Sequence, residues 1–190
     1  MYKTVFIFLI IQISSFCSVR AQTMRDILQQ MPDTILPLLS RGNLLDFPDY
    51  LDSQMKAELS NRLGGTSEML ILTDDYTAIQ LSKASSIQLK LLPHGKKKII
   101  CAVRTYTACD TIHDSQIQFY QADWKPLKTS KFLIADKEKD SFAHATLSAL
   151  NTNLVLEYTY PLDLQFEGEE PRTHNLKKAV FRWNGKKFTK

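Results

Sequence analysis

The spacing of apolar residues changes along the chain, from a helical period near the start to a strand period afterwards. The first apolar face follows the i, i+3, i+4, i+7 pattern, with Thr23 before it as an N-cap residue and Pro32 ending it. This pattern predicts a short amphipathic helix. The apolar residues on its face are Met24, Ile27, Leu28 and Met31.

A second apolar stripe predicts a longer helix over residues 49–63. Its members are spaced four residues apart, and Gly64-Gly65 is a typical stop signal. Gly42-Asn43 is predicted to break the chain before this helix. The stripe consists of Leu51, Met55, Leu59 and Leu63.

Beyond residue 65, apolar and polar residues alternate, which predicts half-buried strands joined by turns. One of these strands has Gln88 and Lys90 on its polar side. Residues 142–150 fit a strand and a short helix equally well. The predicted strands, including the one with Gln88 and Lys90, cover residues 69–72, 76–81, 87–91, 99–107, 116–119 and 154–160.

The C-terminal residues carry the strongest local signal. Asn184-Gly185 lies between two short runs rich in aromatic residues and predicts a two-residue hairpin with a type I′ turn. In that register Phe181 faces Phe188, and such a cross-strand pair stabilises a hairpin by ~0.2–1 kcal/mol.

The order of these elements predicts an α+β fold. Short N-terminal helices would pack on a mostly antiparallel β-sheet or meander that ends in a C-terminal β-hairpin. No linker rich in Gly, Ser or Pro divides the chain. We therefore expect a single domain over residues 22–190, with a helical segment at residues 22–65 and a strand-rich segment at residues 66–190.

Residues 1–21 have the composition of a secretory signal peptide. Lys3 precedes an apolar run, and Val19-Arg20-Ala21 forms a cleavage site. The run is shorter than the ~20 residues of a membrane span, although an uncleaved N-terminal anchor is the alternative. The mature protein is therefore predicted to be exported, to start at Gln22 and to have no transmembrane segment.

The charge balance argues against a nucleic-acid partner. The full chain has 24 Lys+Arg and 20 Asp+Glu, so its formal net charge is +4. Removal of the signal peptide takes away Lys3 and Arg20, and the small excess that remains creates no strong field. Lys96-Lys97-Lys98 and the basic C-terminus are candidates to contact phosphates or an acidic partner. Such lysines also solvate a surface or guard an edge strand.

Two cysteines remain after the predicted cleavage, Cys101 and Cys109. Export permits a disulfide between them, but eight extended residues span ~26 Å, so a bridge requires the chain to double back. A bridge and two free thiols both remain open.

The sequence predicts no catalytic residues, no cofactor and no metal. One cluster combines a thiol, an imidazole and carboxylates, namely Cys109, Asp110, His113 and Asp114. Its acidic members disfavour a reactive thiolate, and Cys-x₃-His supplies only two metal ligands. A polar hairpin loop is the simpler interpretation.

Three aromatic residues form the candidate binding site, Tyr106, Tyr120 and Trp124. Aromatic side chains are typical anchors at protein interfaces. Packing within the sheet is the alternative, because period-two spacing explains most aromatic residues here.

Several segments resemble those of a known family. They include Leu72-Thr73-Asp74-Asp75-Tyr76, Ile100-Cys101-Ala102-Val103-Arg104-Thr105 and Asp123-Trp124-Lys125-Pro126-Leu127. Together they resemble an uncharacterised family of exported proteins from Bacteroidales, known only as a domain of unknown function (3256 series). The resemblance implies a periplasmic or secreted location in a Gram-negative bacterium. It implies no activity, substrate or site.

Three functions follow as hypotheses. The first is a non-enzymatic binding or assembly module of the bacterial envelope, whose partner is another envelope protein. The second is a hydrolase acting on envelope or host material, with a site assembled from distant residues such as His144, Asp163 and Glu167. The third is a proteinaceous inhibitor anchored by the three aromatic residues. Oligomeric state and ligand identity are not determined by these patterns.

Overall fold

A computed structural model shows a protein built mainly of β-strands. It describes residues 22–109, 112–135, 141–159 and 177–190. Strands make up 51% and helices 15% of this part of the chain. The elements are α1 (Met24–Gln29), α2 (Arg41–Asp52), β1 (Glu58–Ser60), β2 (Thr66–Leu72), β3 (Tyr76–Ser82), β4 (Ser85–His94), β5 (Lys97–Cys109), β6 (Ile112–Gln121), β7 (Pro126–Leu127), a 3₁₀ turn (Thr129–Lys131), β8 (Phe142–Leu147), β9 (Asn153–Thr159), β10 (Lys177–Trp183) and β11 (Phe188–Thr189).

The strands form two antiparallel sheets. The first sheet contains β1 to β7 in chain order, and the second sheet has the order β11-β10-β9-β8. Apolar side chains on one face of the first sheet pack against the N-terminal segment that carries α1 and α2. Those on the opposite face pack against the second sheet.

The predicted α+β fold is wrong, because the described chain is mostly β and contains two sheets with only two α-helices. Alternation marks β9 correctly as a strand, and the hairpin signal marks the end of β10, whereas the pattern left β8 undecided between strand and helix. It does not show that these strands leave the first sheet and form a second one, since a half-buried strand has the same pattern in either place.

The helix predicted over residues 49–63 is also wrong. The second helix begins earlier because Ser40 caps it: its Oγ accepts a hydrogen bond from the Asn43 amide at 3.1 Å, and Asn43 Oδ1 accepts from the Ser40 amide at 2.9 Å. This helix ends at Asp52. Further along, Leu63 is 82% exposed, so the i+4 spacing of the stripe was coincidental.

The first predicted helix is confirmed. Thr23 is its N-cap residue, and Asp26 completes a capping box. Residues 142–147 are a strand, which settles the ambiguity left by the sequence. The predicted signal peptide and the loop that contains Asp163 and Glu167 lie outside the described residues.

The C-terminal hairpin is confirmed, but its predicted register is wrong. Trp183 pairs with Phe188, so four residues rather than two form the loop. The side chain of Asn184 explains the longer loop, because its Oδ1 accepts from the amides of Lys186 and Lys187 at 3.0 and 2.9 Å. The rings of Trp183 and Phe188 then lie 5.2 Å apart.

The two cysteine positions lie on one strand. Cys101 and Cys109 both belong to β5, so the chain does not double back between them. Cys101 is a free, buried thiol, and burial raises its pKa. Burial therefore keeps this thiol protonated and unreactive.

The main-chain amides on the free edge of β8 donate hydrogen bonds to side chains of the first sheet. Three β8 amides donate hydrogen bonds across the interface, which attaches the second sheet without strand pairing. The donor and acceptor residues are Ala143 and Asp114 (3.4 Å), Ala145 and Ser115 (2.9 Å), and Leu147 and Gln88 (2.8 Å).

A buried lysine lies between the two sheets. Lys90 on β4 is only 1% exposed. Its Nζ lies 2.9 Å from Asp75 Oδ2 and donates to the carbonyl of Ala149 at 3.1 Å. It also lies 5.7 Å from the centre of the Tyr76 ring, within cation–π range. Because Ala149 follows β8, the lysine joins the first sheet to the second.

Substitution of Asp75 tests this contact. Asp75→Asn removes the counter-charge of a buried ammonium, and we expect the free energy of unfolding to fall by about 3 kcal/mol. Asp74→Asn changes an exposed neighbour in the same turn, and it should shift stability by less than about 0.5 kcal/mol. Urea unfolding of both variants measures the difference. Equal effects would show that Lys90 does not depend on Asp75.

Candidate functional site

The turn between β4 and β5 forms one wall of a groove. Pro93 and His94 end β4, and Gly95 takes a positive φ of 61°, which favours glycine. The wall is held in place by Trp183, whose Nε1 donates to the Pro93 carbonyl at 2.7 Å. The His94 ring contacts Phe132 edge-on, with 5.7 Å between ring centres.

The groove continues to the turn between β6 and β7. Its volume is about 910 Å³, which lies within the range of small-molecule sites. Its apolar surface comes from Ile99, Leu127 and Phe132 and from neighbouring turn residues. We call it the lysine-rimmed groove. It is lined by Gln22, residues 93–99, residues 121–123, Leu127 and Phe132.

Positive charge dominates the rim of this groove. Lys96 and Lys97 are exposed, and Lys98 donates to the carbonyl of Gln22 at 2.8 Å. The carboxylate at the rim, Asp123, is paired with Lys125 at 2.8 Å, and the hydrogen bond from Lys125 lowers the pKa of Asp123. The rim thus presents ammonium groups above an apolar floor.

His94, in the wall of the groove, has one ring nitrogen that is buried and, within the described part of the chain, unpaired. Its Nδ1 is buried and has no hydrogen-bond partner among the described residues. A buried ring nitrogen is ordinarily paired, because leaving it unpaired costs free energy. The accessible surface of the groove therefore combines cationic groups with an apolar floor.

The three aromatic residues predicted as a binding site do not lie together. Tyr106 is 43% exposed near one end of β5, whereas Tyr120 pairs with Ile100 near the other end. Trp124 is only 4% exposed, and its Nε1 donates to the Ile27 carbonyl at 3.0 Å. Trp124 also contacts the Tyr120 ring, so these two rings pack beside α1.

The residues around His113 form a polar row across the two sheets. Its Nδ1 lies 3.0 Å from Thr107 Oγ1, and its ring centre is 4.8 Å from that of His144. Glu157 pairs with His144 across the strands and forms an ion pair of 2.9 Å with Lys178. Burial and then His113 lower the pKa of His144, while Glu157 opposes this.

The polar row does not assemble the predicted hydrolase site from described residues. His144 lies on β8, but its proposed partners Asp163 and Glu167 lie outside the described residues. Within the described ranges, no three His, Cys, Asp or Glu side chains come together as a metal site. Cys109 belongs to β5, and Asp110 also lies outside the described part.

Sequence reasoning identified the lysines of the groove but not the groove itself. Lys96-Lys97-Lys98 follows a Pro-His-Gly turn, a signal that places lysines at a strand end. Leu127 and Phe132 come from a later part of the chain, and no local pattern connects them to this turn.

These features define a class of protein: a two-sheet antiparallel β protein with a lysine-rimmed groove beside a strand turn. Residues 16–146 match the family described as "Protein of unknown function (DUF3256)", and the chain belongs to that family. The resemblance noted in the sequence is thereby confirmed at the family level. No curated protein matches the sequence.

A solved structure shares the fold. It is described as "Structure of a domain of an uncharacterized protein from Porphyromonas gingivalis W83". The TM-score is 0.72 at 21% sequence identity, and the match covers 89% of this chain and 98% of that chain. None of the helices in the described part of this chain has the length and apolar character of a membrane span.

Paired substitutions distinguish the packed and exposed aromatic residues. Trp124→Ala should lower the free energy of unfolding by about 3–5 kcal/mol, because it removes a core side chain and its hydrogen bond to α1. Tyr106→Ala should change it by less than about 1 kcal/mol. Thermal and urea unfolding measure both. A small effect at Trp124 would contradict its placement in the core.

Protonation of His144 should destabilise the fold. Its folded-state pKa lies below the ordinary histidine value of about 6.5, so the unfolded state binds more protons below about pH 6.5. This contribution is complete above that pH and is lost as pH falls. Urea unfolding between about pH 7.5 and pH 5 measures the slope.

Two variants give opposite expectations for this slope. His144→Gln should flatten the pH dependence. Glu157→Gln should steepen it, because Glu157 raises the pKa of His144. An unchanged slope in both variants would assign the pH dependence to other groups.

Proposed function

We propose that this protein is an exported, non-enzymatic binding module of the bacterial envelope, which holds an anionic amphiphile in the lysine-rimmed groove. The observation that carries the proposal is the combination of exposed lysines with an apolar floor. An apolar chain would bury surface against Ile99, Leu127 and Phe132, while an anionic head would remain near Lys96 and Lys97.

Volume and charge both support a small amphiphile. The groove of about 910 Å³ falls in the size range of small-molecule sites. Its carboxylate at the rim is already paired with a lysine, so an incoming anion meets little repulsion. The fatty-acyl carboxylates and alkyl phosphates of an envelope have the required chemistry.

Export is supported by the signal-like residues 1–21. This chain shares its fold with a protein from Porphyromonas gingivalis, and that likeness supports a bacterial source for the family to which the chain belongs. A periplasmic or secreted location would place the groove among envelope amphiphiles.

Titration with straight-chain carboxylates tests the groove. The protein is purified from the envelope fraction of a Bacteroidales host, and its intact mass reports whether Gln22 is the first residue. Calorimetry with octanoate, decanoate and dodecanoate should show affinity rising by about fourfold per methylene until the groove is filled. The matching alcohols should bind more weakly.

A matched pair of variants locates the binding. Lys96→Gln/Lys97→Gln should weaken dodecanoate binding by about fivefold, as expected for two exposed charge contacts. Lys187→Gln/Lys190→Gln removes the same charge outside the groove and should leave the affinity unchanged. Equal losses in both variants, or no dependence on chain length, would reject the groove as the site.

A further inference from the structure

One edge of the second sheet is only partly paired. The strand β10 pairs with β9 over residues 177–182, but β11 pairs with it only at Arg182 and Trp183. Among the described residues, no strand therefore covers this side of β10 over residues 177–181.

The main chain of β10 directs hydrogen-bonding groups to this open side. The amide of Trp183 donates to the Thr152 carbonyl at 3.3 Å, on the β9 side. Main-chain groups of alternate residues point in opposite directions, so those of Val180 and Lys178 face the open side. These groups form a template for one more strand.

A small groove accompanies the open edge. Its volume is about 230 Å³, and its floor contains Tyr158, Phe181 and Phe188. Ile134 also lines it and is 72% exposed. An added strand could place every second side chain on this floor, as in recognition of peptides by strand addition.

Lysines determine what kind of strand fits. Lys187 and Lys190 line the groove, and both are exposed. A second copy of this edge would bring lysines against lysines, which disfavours pairing between copies. An acidic strand would meet complementary charge.

We propose that the open edge of β10 binds an extended acidic segment of another protein by antiparallel strand addition. The segment alternates apolar residues, which face Phe181 and Phe188, with acidic residues, and the acidic residues nearest β11 lie within reach of the long, exposed side chains of Lys187 and Lys190. This site shares no residue with the lysine-rimmed groove, so each proposal can fail without the other.

A synthetic peptide of alternating Glu and Val, blocked at both ends, is the probe. NMR of the mature protein should show that hydrogen exchange at the amides of Val180 and Lys178 slows at saturating peptide. A peptide in which Lys replaces every Glu should bind at least about tenfold more weakly. Failure of the acidic peptide to bind, or slowed exchange only at residues 93–98, would overturn the proposal.

Two variants separate main-chain pairing from charge. Val180→Pro removes an outward amide without removing a hydrogen bond to β9, and it should weaken binding by at least about tenfold. Lys187→Gln/Lys190→Gln should weaken it by about fivefold. Lys96→Gln/Lys97→Gln is the control with unchanged affinity.

Folding of the proline variant and the oligomeric state of the protein provide two further controls. Circular dichroism first establishes that Val180→Pro is folded; if it is not, the exchange measurement and the double-lysine variant decide. Undiminished binding to both edge variants would overturn the proposal. Dimerisation of the protein through this edge, detected by sedimentation, would also overturn it in favour of a second copy.

Discussion

The buried ammonium of Lys90 constrains how the two sheets meet. A charge removed from water requires acceptors in fixed positions, and an apolar interface alone would not specify them. Asp75 supplies one acceptor from the first sheet, and Ala149 supplies another from the chain after β8. A slip of the second sheet by one residue would separate the lysine from this carbonyl. The side-chain acceptors along β8 impose the same register, so polar contacts fix an interface whose area is mainly apolar.

Two hairpin turns share a Gly-Lys-Lys sequence and lead to two different surfaces. Each has a glycine with positive φ, Gly95 or Gly185, followed by two lysines. In both places the lysines stand beside apolar side chains that reach the edge of a sheet. The net charge of the chain is small, yet its positive groups are concentrated where apolar surface is accessible. Exposed ammonium groups beside apolar side chains are the shared chemical feature of these surfaces.

Local signals predicted the first helix and the position of the C-terminal turn, but not the bounds of the second helix or the register of the hairpin. Thr23 caps a helix and the Asn184 turn reverses the chain, because each depends on residues only a few positions away. Long-range features were not predictable in this way. The sequence placed Lys90 on the polar side of a half-buried strand, but a second sheet covers that side. Trp124 has the residue type of an interface anchor, yet its partner Ile27 lies 97 residues away. The lysine-rimmed groove was missed for the same reason.

The order of strands in the first sheet has a consequence for how the protein forms. Each strand from β2 to β7 lies beside its predecessor in the chain, so pairing can proceed in chain order during folding. The face of the first sheet that packs against the second sheet is not uniformly apolar. Gln88, Lys90 and Ser115 place polar groups on it, and we expect these groups to limit premature association with other chains during folding. The same residues that join the two sheets in the folded protein would thus first reduce association of the partly folded chain with other chains.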